Sequence, residues 1–323
     1  MNFYEGKEVL IPGGAGMTGQ ALIRKLYPLG AKITATEYKS RKIENTYRKE
    51  IDYYPDFDLR TAKDSELRDL YEGIHVVFWA AASVGGASAI LNSPSELIQI
   101  NLEMTSRNLK IASESGVERW AYISSSYAYP DLPYPAKEDD INSGDVPTIH
   151  YGLGHLKRYV ETLLRHYSMT TQMKAAIIRP TAIYGPFDNF DLTTSHALPA
   201  LLRKVVEKKF PLEVWGDGSE VRQWTYVDDV VEGLLVATAH YCVAEPLNIC
   251  TSETRTVKDM AETLLGLEGH DTTDIKYLAD KPKVINKRLS DPSKAKRLLG
   301  VECRTSLKDG LYKTIEWFKA NRP

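Results

Sequence analysis

The stretch that most constrains this chain is Val9-Leu10-Ile11-Pro12-Gly13-Gly14-Ala15-Gly16-Met17-Thr18-Gly19-Gln20-Ala21-Leu22. An apolar run enters three glycines spaced G-x-x-G-x-x-G, and an amphipathic segment leaves them at once. Gly13 permits a tight turn out of a strand. Gly16 lets the backbone approach a pyrophosphate, and Gly19 lets the next helix pack close on a sheet. The unsatisfied N–H groups and positive dipole end of a helix starting at Met17 and Thr18 then favour phosphate oxygens. Glycine-rich turns are common; the strand before this one and the helix after it give it weight.

The first half alternates strand and helix patterns, which predicts a parallel sheet with crossover helices. Strands are expected at Glu8–Ile11, Lys32–Thr36, Ile51–Tyr54, Val76–Ala80, Trp120–Ser124 and Ala175–Arg179. Helices are expected at Met17–Leu29, from Asp64 or Ser65 to Tyr71, from the Ser93-Pro94 cap to Gly116, and at Tyr151–Tyr167. Beyond Pro180 the alternation loosens. Helices are expected at Ala197–Lys208, after Tyr226, at Val257–Leu265 behind Thr256, and from Thr305 or Ser306 to Asn321. The fold expected is α/β, a doubly wound parallel (Rossmann) sheet over residues 1–180, with 226–250 returning to it. Residues 181–323 mainly form a smaller lobe over the carboxyl edge of the sheet, where ligands of such folds bind.

Glu37 ends the second strand, roughly 20 residues past the glycines, where an acidic side chain accepts both hydroxyls of an adenosine ribose and repels a 2′-phosphate. NAD is therefore expected over NADP, with Arg41 and Lys42 leaving NADP open. Ala80-Ala81-Ala82 closes the fourth strand with small residues that let backbone lie against a cofactor. A serine at the end of strand five and a tyrosine on the next helix make a proton-transfer pair. Ser125 hydrogen-bonds a substrate hydroxyl while Tyr151 takes its proton.

With these marks in view the chain resembles the extended short-chain dehydrogenases/reductases that act on nucleotide sugars, from Val9 to Trp317. The resemblance rests on the glycine loop, Ser125, the Tyr151 helix, Arg179-Pro180, Tyr184-Gly185-Pro186 and Arg222-Gln223-Trp224-Thr225-Tyr226-Val227-Asp228-Asp229. Three stretches resemble the branch of GDP-fucose synthases and GDP-mannose 3,5-epimerases. They are Val84-Gly85-Gly86, Tyr129-Pro130, and Gly185-Pro186-Phe187-Asp188-Asn189-Phe190 leading to Ser195-His196-Ala197-Leu198-Pro199-Ala200-Leu201. The resemblance implies adenine at Asp58-Leu59, a nucleotide diphosphate on Arg222 and Arg288 with Lys204 as a weaker candidate, and a homodimer.

Three departures stand against it. The family's Tyr-x-x-x-Lys reads Tyr151-x-x-x-His155 here, with Lys157 two residues off that face. That lysine's implied tasks are to hold the nicotinamide ribose and to lower the tyrosine pKa by its charge, which a histidine performs only in part near neutral pH. The branch's 3,5-epimerases carry a cysteine two residues after the serine, where Tyr127 stands, although His196 matches the histidine opposite it. Ala182 replaces an asparagine of many relatives, and the serine loop lacks the Asp-Glu pair of sugar 4,6-dehydratases.

Composition adds exclusions. A formal net charge of −2 gives no reason to expect nucleic acid or an acidic membrane surface. No apolar run suits a membrane span, and no basic-then-apolar leader precedes the first strand. Cys242, Cys250 and Cys303 form neither a metal spacing nor a disulfide framework, so no metal and a cytoplasmic setting are expected. The reading is an NAD-dependent enzyme oxidising the C4 hydroxyl of a nucleotide-diphosphate sugar, a GDP-sugar favoured, through a 4-keto intermediate. Its alternatives are a GDP-4-keto-sugar 3,5-epimerase/reductase and a catalytically faded NAD-binding module.

Overall fold

The computed structural model describes residues 2–39, 41–83, 94–279 and 287–321. Its centre is a seven-stranded sheet built from β1 (Glu8–Ile11), β2 (Lys32–Thr36), β3 (Asp52–Tyr54), β4 (Val76–Trp79), β5 (Arg119–Ile123), β6 (Lys174–Pro180) and β11 (Pro246–Ile249). All neighbours run parallel, in the order β11-β6-β5-β4-β1-β2-β3. The order reverses at β1, so the glycine turn that leaves β1 opens into the crevice between β2 and β4.

Strand residues alternate between two cores, as the pleat requires. Val9, Ile11, Val76 and Phe78 point to one face, against α1 (Met17–Leu26) and α7 (Val227–His240). Leu10, Val77, Trp79, Trp120 and Tyr122 point to the other, against α3 (Asp64–Tyr71), α4 (Pro94–Glu114) and α5 (Tyr151–Thr170). A third core joins α6 (Ala197–Val206), β8 (Leu212–Trp215), β10 (Trp224–Tyr226), α8 (Val257–Leu267) and α10 (Leu307–Ala320).

The differences from expectation have local causes. Pro28 tightens the end of the first helix into a 3₁₀ turn, Tyr27–Leu29. A short α2 (Asn45–Arg48) fills the β2–β3 connection, where the sequence pattern gave no signal. The backbone of α3 starts after Lys63, one residue ahead of the Asp64 cap. β11 escapes the period-2 pattern because it is four buried residues opened by a proline at the sheet edge. Thr256 and Ser306 cap α8 and α10, each accepting from the N–H three residues on. The proposed Ser93 cap lies outside the described residues.

Candidate functional site

Gly13 turns at φ +80°, and a Cβ there would come within 2.8 Å of the Ala81 backbone. At Gly19 a Cβ would stand 2.3 Å from the Gly13 carbonyl oxygen. Glycine is thus required at both positions, so the loop lies flat between the ends of β2 and β4. Gly13 N–H is held by Thr36 Oγ1 at 2.9 Å, and Ala80 N–H donates to Pro12 O at 3.1 Å. The N-cap of α1 is Gly16, with no side-chain cap and no acid in the first turn. The N–H groups at Met17 and Thr18 are left for an anion, and the cradle fits a dinucleotide pyrophosphate.

At the second strand the geometry departs from expectation. Glu37 is 0% exposed. Its Oε1 accepts from Ile43 N–H at 2.8 Å, and its Oε2 meets Arg48 at 3.0 Å and Lys42 at 3.5 Å. Both oxygens that were to bind a ribose are engaged inside the protein. Asp58 is paired with Arg60 at 2.6 Å, whose bond holds the carboxyl below its ordinary range. Leu59 is buried, and Ala80 to Ala82 follow β4. Val84, Gly85 and Gly86 lie outside the described residues.

Along α5 the sequence offers two helical stripes. Residues 151, 155 and 159 form the outward one. Tyr151 is 52% exposed, its ring 4.4 Å from that of His155, and His155 Nε2 meets Asp145 at 2.9 Å. Residues 150, 154, 157 and 161 form the inward stripe, where Gly154 is pressed against Tyr127 O and Val146. Lys157 Nζ donates to Ile123 O at 3.0 Å, at the end of β5, and stands 4.9 Å from the Tyr122 ring centroid. Burial lowers its pKa to about 8, against the opposing charge of Glu161. The fixed cation beneath the serine run is therefore Lys157, and the residue four before it on the helix is Leu153.

Glu161 continues this stripe into a buried network. Arg179 forks onto its carboxylate at 2.9 and 2.6 Å, and Ser124 Oγ donates to it at 2.5 Å. Arg179 also donates to Tyr129 Oη and Glu138 O, both at 2.9 Å, and Tyr129 donates to Asn248 Oδ1 at 2.7 Å. Burial opposes the Arg179 charge, yet its bonds to Glu161 and Tyr129 hold the pKa above its ordinary value. Ser125 follows this anchored serine, and its Oγ accepts from Tyr127 N–H at 3.1 Å.

Facing the serine loop is a small sheet of β12 (Arg255–Thr256), β9 (Val221–Arg222) and β14 (Lys287–Arg288). Its register sets Arg255, Arg222 and Arg288 in one cross-strand row. Like charges so placed repel unless an anion sits among them. Glu253 pairs with Arg255 at 2.9 Å. Arg222 is brought to about 10 by burial and then by Arg288, with Glu220 opposing. Arg288 lies 4.2 Å over the Tyr127 ring and contacts His150 Nε2 at 2.6 Å. A guanidinium only donates, so that nitrogen accepts and Nδ1 bears the proton. His150 is 4% exposed, and its Nδ1 has no partner. Burial, then Arg288 and Arg222, brings its pKa to about 3, so the ring stays neutral.

The structure thus gathers Ser125, Tyr127, Arg222 and Arg288 and adds Lys157, Glu161 and His150, which the sequence reading did not propose. The ladder of Lys157 and Glu161 at i, i+4 is the signal that could have found the first two. Lys204 is turned to β8, its Nζ 3.4 Å from Glu213 O. His196 is exposed at the N-cap of α6. No helix among the described residues is long and apolar enough to cross a membrane.

Comparison with known proteins shows the family. The NAD dependent epimerase/dehydratase family matches residues 9–250. A probable GDP-L-fucose synthase 1 of Oryza sativa subsp. japonica is 28% identical over 326 residues, covering 98% of this chain and 93% of the relative. GDP-mannose 3,5-epimerase 1 of the same plant is 30% identical over 322 residues, covering 98% of this chain and 82% of the relative. The solved structure of epimerase Mth375 from Methanothermobacter thermautotrophicus superposes with a TM-score of 0.85 at 26% identity, covering 99% of this chain and 95% of that one. The chain belongs to the NAD-dependent epimerase/dehydratase family and is an enzyme of the extended short-chain dehydrogenase/reductase type.

Proposed function

We propose that this enzyme carries out hydride chemistry at C4 of a nucleotide-diphosphate sugar, a GDP-sugar favoured, by way of a 4-keto intermediate. The observation that carries this reading is the approach of Arg288 to within 4.2 Å of the Tyr127 ring. It brings a diphosphate-binding guanidinium beside the loop that bears Ser125. Arg222 and Arg288 hold the diphosphate, with charge-assisted bonds to its oxygens. The Ser125 hydroxyl orients the sugar hydroxyl, and Tyr127 takes and returns its proton. Lys157, rather than His155, supplies the fixed cation beneath them. Bound NAD supplies the hydride acceptor and donor. The family resemblance supports a homodimer through the α4 and α5 helix pair.

The test is to mix the NAD-loaded protein with GDP-, UDP-, dTDP- and ADP-sugars in single turnover and follow reduced-nicotinamide absorbance. A transient with one of them is expected, and none with any of them refutes the reading. The second reading, a GDP-4-keto-sugar 3,5-epimerase/reductase, is favoured by His196 exposed at the N-cap of α6 and by the similarity to relatives with those names. Exchange of sugar C3 and C5 hydrogens with solvent deuterium would select it.

A further inference from the structure

His150 stands at the junction of two elements. The 3₁₀ turn Thr148–His150 leads straight into α5, with His150 as the N-cap and its N–H donating to Pro147 O at 2.8 Å. The imidazole is buried, and its centroid lies 4.2 Å from that of the Tyr127 ring on the serine loop. Its Nε2 accepts from Arg288 of β14 at 2.6 Å, and the Arg288 guanidinium lies 4.2 Å over the same Tyr127 ring. Side chains from three separate stretches of the chain thus close a triangle on the serine loop.

The partner of each arginine in the cross-strand row decides what charge that arginine offers to an anion. Arg255 is paired with Glu253 at 2.9 Å, and a carboxylate so close cancels much of a guanidinium's pull on a further anion. Arg288 meets a neutral ring nitrogen instead, so its direction is set while its charge is kept. The ring stays neutral because it is buried and lies near Arg222 as well as Arg288. Arg222 and Arg288 are cross-strand neighbours, and two guanidiniums in that relation repel one another. An acceptor already in place opposes their splaying. It also removes part of the entropy cost of ordering a long side chain when a ligand arrives.

We propose that His150 is a positioning residue for the diphosphate of a nucleotide-diphosphate sugar. Its neutral Nε2 holds Arg288 over the Tyr127 ring, ordered in advance and with its charge uncancelled. This rests on the diphosphate site proposed above and adds to it a residue that acts only through Arg288.

The experiment is calorimetric titration of the full chain with GDP, UDP, dTDP and ADP, the tightest of which is then titrated into variants. His150→Phe keeps a ring beside Tyr127 and deletes the acceptor, and should weaken that diphosphate by about tenfold. His150→Gln brings an amide oxygen close to the place of Nε2 and should stay within about threefold of wild type. In an Arg288→Ala background, His150→Phe should weaken binding by less than about twofold more, because the group it positions is gone. His150→Phe binding as tightly as wild type overturns the proposal. So does equal weakening in both backgrounds, or a His150→Gln variant that loses as much as His150→Phe. Should His150→Phe not fold, His150→Met makes the same comparisons. Binding of none of the four diphosphates to the wild-type chain overturns the diphosphate site itself and this inference with it, a different result from a site that binds and ignores His150.

Discussion

Lys157 Nζ donates to the carbonyl oxygen of Ile123 at 3.0 Å, two residues ahead of Ser125 on the same strand end. This bond selects one of two helical registers in α5. It places the lysine ammonium under the serine loop and turns the Tyr151–His155 pair toward Asp145 and solvent. Leu153 holds the place four residues before the lysine and has no proton to give.

The phenol proposed to act with Ser125 is Tyr127, set between Arg288 and His150 with ring contacts of 4.2 Å to each. Tyr127→Phe should lower single-turnover sugar oxidation by about a hundredfold, the ordinary contribution of a positioned acid–base group. Tyr151→Phe should leave it within about threefold. Stopped-flow absorbance of both variants checks this.

Acid should weaken the fold through His150. An ordinary imidazole titrates near about 6.5, and His150 is brought to about 3 by burial and the two arginines. Between those values the unfolded chain takes up a proton that the folded one refuses. The contribution is therefore complete above about pH 6.5 and is lost as pH falls toward the folded pKa. Urea unfolding of wild type and His150→Phe at pH 7 and pH 4.5 should show wild type losing about 2 kcal/mol more than the variant. Equal losses would refute the assignment.

The Glu161–Arg179 pair is nearly free of solvent, at 8% and 2% side-chain exposure. Glu161→Gln leaves the guanidinium buried beside a neutral amide, and removing one partner of such a pair costs about 3–5 kcal/mol. A chemical denaturation midpoint close to wild type would show that water or Glu138 replaces the lost charge.

The main sheet is legible in the sequence because each strand is short, apolar and bounded by turn residues. Val9, Leu10 and Ile11, for instance, face the two cores in strict alternation. The glycine turn is legible for a steric reason, since Gly13 and Gly19 leave no room for a Cβ. What the sequence did not settle is which side chains turn inward. Tyr151-x-x-x-His155 and Leu153-x-x-x-Lys157 overlap on one helix, and only the contacts of Lys157 with β5 and of Glu161 with β6 separate them. Glu37 posed the same problem. Its position at the strand end was readable, but the clamp of Gln20 on residues 42 and 44 that buries it joins distant parts of the chain.

The most direct test compares Lys157→Met with His155→Leu in single-turnover reduction of bound NAD by the nucleotide sugar that the wild-type enzyme oxidises. Lys157→Met should abolish the transient, and His155→Leu should leave its rate within about threefold of wild type. The reverse pattern, with His155→Leu silent and Lys157→Met active, would contradict the register on which this account of the site depends.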